Sequence, residues 1–339
     1  MKFRSITIVT SLILFTIILS GCKSDSTGPS QSSNHVNLIG SYNTPGYSYG
    51  IYVDTIAGNI YAFIADGQSG LEIINVTNRS NPILVSRFQT SGSAIDVTVA
   101  HINNTYYAFI SDGSQGFDIL NISNLSLPIL DTTISINNEP FYTAFVDVQH
   151  RLAFAGTLFG NLYIYNLSNL PNSINQLSVY STLDHIFSVQ VQDNLAYLAV
   201  SSLGMKILDV SNPITPGSIG AYQPSAPVYN VKVSGNYAYL ADGENGILII
   251  DVTNPFTPVF YSSVKTTGAT YVGLSYNESF LYSADGNFGV EVFNVATPSS
   301  PMEIGNYKTN DLAQNVFYHK GYIYVAVSTQ GLLILQYQP

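Results

Sequence analysis

Carboxylates set among aromatic rings can hold a sugar or a cation, because rings stack and acids accept hydrogen bonds. The sequence offers one such set in Tyr49, Asp96, Tyr142, His185, Phe187, Tyr229 and Tyr271, with Tyr47 close to the first. Four further acids, Asp66, Asp112, Asp242 and Asp285, each precede a glycine. Asp-Gly is favoured at hairpin turns, since Asp caps its own backbone and Gly tolerates positive φ, so these four read as turn formers. Tyrosines that begin strands also pack with their hydroxyl in water, which is the competing structural reading of the aromatic set.

Other chemistry finds little support. His35, His101, His150, His185 and His319 are scattered, and no pair has metal-ligand spacing. There is no Asp-x-Asp-x-Asp-Gly loop, and one acid per turn is too few for calcium unless several turns converge. No nucleophile elbow, phosphate loop or dinucleotide fingerprint occurs. Charged residues make up only 9% of the chain and acids outnumber bases 21 to 11, a balance that repels phosphate backbones. The expectation is therefore a protein that is not an enzyme, with no cofactor, no metal site and no nucleic-acid partner, calcium being the one ion left open. The rival is a carbohydrate hydrolase or lyase with His185 and Asp96 as its acid–base pair. A third reading is a structure stiffened by metal.

The elements that position these residues follow from an internal period. The run Ala241-Asp242-Gly243-Glu244-Asn245-Gly246 recurs at Ala65 to Gly70 and Ala284 to Gly289, and Ser111 to Gly116 differs only in its first residue. The last glycines of seven copies are Gly70, Gly116, Gly160, Gly204, Gly246, Gly289 and Gly331, spaced 42 to 46 residues apart. That spacing fits a propeller blade of four strands. Within a unit, the alternating Tyr229-Asn230-Val231-Lys232-Val233 leads through Gly235-Asn236 to a second strand, Tyr237 to Ala241. A third, almost wholly apolar strand, Ile247 to Val252, suits burial on both faces. Asn254-Pro255 stops it, and a more polar fourth strand follows.

The seventh unit ends after its third strand, and a spare fourth strand sits at the other end of the chain. Val36-Asn37-Leu38-Ile39-Gly40-Ser41-Tyr42 matches Met302-Glu303-Ile304-Gly305-Asn306-Tyr307. The fold class expected is all-β: a seven-bladed β-propeller of four-stranded antiparallel blades, residues 36–339, its ring closed by the N-terminal strand completing the last blade. Closure removes long unpaired edges. The second-to-third strand turns and the crossings between blades then share one face, where the aromatic and acidic set gathers at the channel mouth. The innermost strands read as mainly apolar and small.

Ahead of the repeats, Lys2 and Arg4 precede an apolar stretch, Ile6 to Leu19, and then Leu19-Ser20-Gly21-Cys22. These are the parts of a secretory signal, and the run is short for a bilayer span. The segment resembles a bacterial lipoprotein signal, which implies cleavage after residue 21, a lipid attachment site at Cys22, and a membrane as partner through that lipid. Cys22 is the only cysteine, so it has no disulfide partner within the chain. Residues 22–35 lack an apolar run and read as a flexible tether.

Ile247-Leu248-Ile249-Ile250-Asp251 and Asp209-Val210-Ser211-Asn212-Pro213 resemble the LVIVD-repeat family, as do the Ala-Asp-Gly turns. Unit three departs most, with Ala155-Gly156-Thr157 and Asn169-Leu170-Pro171. The resemblance implies a propeller at a bacterial or archaeal cell surface and no general activity. Together these readings point to an exported, lipid-anchored protein of the outer membrane or cell surface. It would bind a protein or glycan of the cell envelope through its loop-rich face.

Overall fold

A computed structural model describes residues 35–268 and 273–339. The expected lipoprotein signal, Cys22, the expected tether up to residue 34 and Tyr271 lie outside the described residues.

The described chain forms seven four-stranded antiparallel sheets, each joined in sequence order from the inside out. The innermost strands of blades one to seven are Gly50–Ile56, Asp96–Ile102, Phe141–Asp147, Ser188–Gln192, Asn230–Ser234, Gly273–Asn277 and Ala313–His319. The seventh sheet takes its outer strand from the other end of the chain. Val36–Tyr42 pairs antiparallel with Gly331–Tyr337, from Val36 opposite Tyr337 to Tyr42 opposite Leu332. The expected seven-bladed closure is thus the observed one.

The core consists of seven hydrophobic clusters, one in each gap between neighbouring blades. Side chains alternate across a strand, so one strand feeds two gaps. Ile73 packs into the cluster shared by blades one and two, whereas Ile74 enters the one shared by blades seven and one. Here lies the reason the third strands read as unbroken apolar runs: both faces are buried, with Ile247, Ile249 and Ile250 fully enclosed.

Three acids interrupt that rule. Glu72, Asp118 and Glu291 each take the second position of a third strand and are buried. Glu72 pairs with Arg87 of the neighbouring outer strand. The Thr133 hydroxyl donates to Asp118 at 2.5 Å, and Thr267 donates its backbone N–H to Glu291 at 3.0 Å.

Every outer strand carries a bulge opposite the middle of its third strand. A bulge bends and twists the strand that carries it. The residue that follows the bulge is glycine, serine or threonine in every blade. In blades one and three, Ser86 and Ser178 donate to carbonyls of Leu125 and Pro213, at 2.5 and 2.6 Å, in the next blade's third-to-fourth strand turn.

Candidate functional site

The loop-rich face is fastened by acids. In blade one, Asp66 closes the second-to-third strand turn, with Gly67 at φ 57° after it. Its carboxylate also grips the crossing that enters the same blade. Thr44 and Ser48 donate their hydroxyls at 2.6 Å each, and Gly46 donates its N–H at 2.7 Å. Asp112 takes the N–H of Gly92 at 2.7 Å and Asp285 that of Gly268 at 2.6 Å. Asp242 reaches its crossing through Asn245, which donates to Asp242 at 2.8 Å and to Ser225 at 3.2 Å. Only glycine fits where the backbone N–H is gripped, because a Cβ on Gly46 would lie 2.1 Å from the Asp66 carbonyl oxygen. The four Asp-Gly acids are turn formers, as the sequence suggests, and they are also clamps, which it does not.

Blades three, four and seven carry Thr157, Val200 and Val327 where the others have the turn acid. In these blades the acid stands on the crossing and reaches for the turn. Asp184 accepts the N–H and hydroxyl of Ser202 at 2.9 and 2.6 Å, and Asp311 those of Thr329 at 3.1 and 2.6 Å. Glu139 accepts from the Thr157 hydroxyl, Asn161 Nδ2 and the Tyr163 hydroxyl at 2.5, 2.8 and 2.5 Å. The acid missing from unit three has moved across the same contact.

Inside the ring runs a channel with a cavity of about 550 Å³. Its wall corrects the expectation of mainly apolar inner strands. Asp96, Thr143, Ser188, Asn230 and Asn315 occupy one equivalent position of the inner strands of blades two, three, four, five and seven, opposite the residue that ends each second strand's approach to the turn. Gln190 hydrogen-bonds both backbone groups of Val233 in the next blade, at 2.9 and 3.0 Å. Asp96 accepts from Val97 N–H at 2.9 Å, Thr143 Oγ1 at 3.1 Å and Ala144 N–H at 3.2 Å. Burial raises its pKa against these three donors and the more distant Lys232, which lower it.

The mouth is aromatic. Tyr142 meets Phe187 edge-on with ring centres 5.4 Å apart, and Phe187 meets Tyr229 at 5.2 Å. Burial, then Asp96, Tyr49 and Tyr229, push the Tyr142 hydroxyl up to about 12. Of the seven residues expected at the site, Tyr49, Asp96, Tyr142, Phe187 and Tyr229 line this one channel. His185 stands exposed on the rim against Phe187, at 5.8 Å between ring centres. No hydrogen bond or ion pair among the described residues joins it to Asp96. Beside it, Leu183 is 88% exposed and held at φ 72°, a conformation costly for leucine. Phe159, 63% exposed, is on the turn that this crossing meets, where Thr182 N–H donates to the Gly160 carbonyl at 2.7 Å.

Lys232 was passed over in the sequence because it reads as the solvated half of an alternating strand. It lines the channel, and with Asp96 it supplies the only charges among the described lining residues. His101, His150 and His319 are separate: His101 stacks on Tyr106, His150 pairs with Asp147 at 2.6 Å, and His319 meets Thr55 at 2.9 Å. Among the described residues no His, Cys, Asp and Glu cluster could hold a metal ion.

The profile of the LVIVD repeat matches residues 55–90, 91–135, 186–223, 227–266, 272–309 and 312–335. The chain belongs to the LVIVD-repeat family. Blade three, the unit with the displaced acid, is not among the matched LVIVD repeats. The computationally designed Ika8 protein, in its crystal structure, is similar in fold alone. It is 10% identical, with 89% of this chain and 99% of that one covered at a TM-score of 0.62. The comparison with curated proteins gave no match.

Proposed function

We propose that this LVIVD-repeat propeller is a non-enzymatic, lipid-anchored protein of the bacterial envelope that binds a protein or glycan through its loop-rich face. The observation that carries this reading is Leu183, 88% exposed at positive φ two residues before the rim histidine His185, on a crossing hydrogen-bonded to the turn that exposes Phe159. A backbone conformation of this kind costs about 1–3 kcal/mol and tends to persist where function uses it. Large exposed apolar side chains next to aromatic rings are common anchors of binding surfaces. This apolar knob favours a protein over a glycan. The acid–base pair that the hydrolase or lyase reading needs, Asp96 with His185, has one member hydrogen-bonded into the channel wall and the other on the rim.

The test is crosslinking in cells of the full lipoprotein, followed by pull-down and mass spectrometry, with a Cys22→Ala control for anchoring. A partner captured by the native chain and lost with Leu183→Asn supports the reading, since Asn tolerates positive φ and leaves the blade at least as stable. A partner captured equally by Leu183→Asn, or no partner in a well-expressing strain, overturns it.

A further inference from the structure

The charges inside the ring are unevenly placed. Asp96 belongs to blade two and Lys232 to blade five, three blades apart in a ring of seven, which is as far apart as two blades stand. They therefore face each other across the channel. No ion pair joins them within 4.0 Å, and no hydrogen bond of the Lys232 ammonium occurs among the described residues. Burial lowers the Lys232 pKa while Asp96 holds it up, so each charge is partly desolvated with the other as its distant counterpart.

Enclosed charges without a direct partner are costly, and structures keep them where a ligand or a network satisfies them. Here the carboxylate is fixed by three donors from its own and the next blade, whereas the ammonium is on a flexible stem. Between them the wall offers neutral hydrogen-bonding groups, Ser188, Asn230, Ser275 and Asn315. The cavity, about 550 Å³, falls in the range of small-molecule sites. Tyr142, Phe187 and Tyr229 line the same cavity, and aromatic rings attract cations.

We infer that the channel is a binding site for a small zwitterion, an α-amino acid or dipeptide, whose carboxylate meets Lys232 and whose ammonium meets Asp96. This site is distinct from the Leu183 knob and does not depend on it. A ligand with one charge leaves the opposite wall group unpaired, so both ends are read. The aromatic rings stand on blades three to five, one strand position before the level of Asp96 and three before Lys232. Tyr142 feels the Asp96 carboxylate, so an entering ammonium passes the rings and reaches that level first.

The experiment is calorimetric titration of the purified propeller-bearing chain with the standard amino acids and alanyl-alanine. Each ligand found is repeated as its N-acetyl and its C-amide derivative, which remove one charge apiece. Binding that falls about tenfold or more on blocking either end, and again in Lys232→Met and in Asp96→Asn, establishes the site. A second variant, Lys232→Gln, and a thermal melt of each protein separate lost binding from lost folding. The inference is overturned by any of three results. One is no heat from any amino acid or dipeptide up to about 10 mM, a weak-binding limit. Another is a folded Lys232→Gln protein that binds as the native chain does. Equal affinity for the blocked derivatives also overturns it, because a single-charge ligand would then be the better description.

Discussion

Two groups of blades solve one fastening problem from opposite sides. Blades one, two, five and six keep the acid on the turn, buried, and let it hold the crossing; blades three, four and seven keep it on the crossing and let it hold the turn. The contact is shared, but the surroundings differ. Burial raises the pKa of Asp112 and takes Asp242 up to about 6. Asp184 feels burial too, yet the Ser202 hydroxyl and two backbone N–H groups outweigh it and leave it lowered. Asp311 is lowered chiefly by the Thr329 hydroxyl. What a repeat preserves is the link between turn and crossing, and the residue that makes the link is free to change sides.

The largest expected effect comes from removing a turn acid. Asp66→Ala strands three donors of the crossing, and urea unfolding should show a loss of about 3 kcal/mol. A loss no greater than that of the more open crossing acid Asp184 would break the distinction.

Next comes pH. Asp118 and Asp242 lie at about 6 and Glu291 at about 7, each raised first by burial. A raised acid holds its proton in the folded state after the unfolded chain has lost it, so its stabilising contribution is present at low pH. That contribution disappears as pH rises from near 4 through 6 to 7. The melting temperature should therefore fall between pH 5 and pH 8, and Asp242→Asn should flatten part of that fall. Asp184 and Asp311 act in the opposite sense, with stability lost only as pH drops through their lowered values, below the ordinary 3.8. A thermal scan against pH that stayed level from 5 to 8 would remove the buried-acid half of the comparison.

The smallest effect belongs to the exposed clamps. Asp184→Ala should cost about 1 kcal/mol by the same urea measurement, since water replaces the two Ser202 donors at a partly open site.

The blade count and ring closure were legible because they rest on period. Seven glycines at near-equal spacing and a fourth strand displaced to the other end admit few arrangements. The aromatic set was also legible, since Tyr49, Tyr142, Phe187 and Tyr229 recur at the entries to the inner strands that carry them to the mouth. The clamps were not, because Asp-Gly is already explained by the turn it forms, and nothing local shows that Gly46 lies against Asp66. Lys232 was hidden for a related reason. Strand alternation separates the two faces of a sheet, but it does not distinguish bulk water from a narrow channel, and an alternating lysine reads the same in both.

The way the ring closes also orders its assembly. Val36–Tyr42 is the first strand of the described chain to leave the ribosome, and its partner, Gly331–Tyr337, is the last. Throughout synthesis the earliest strand has no mate, and blade one has no seventh blade to cover Ile51, Ile64 and Ile74. Whatever shields that early surface must stay until the final few residues arrive, and a chain stopped short of them would be left with an open ring and two adhesive ends.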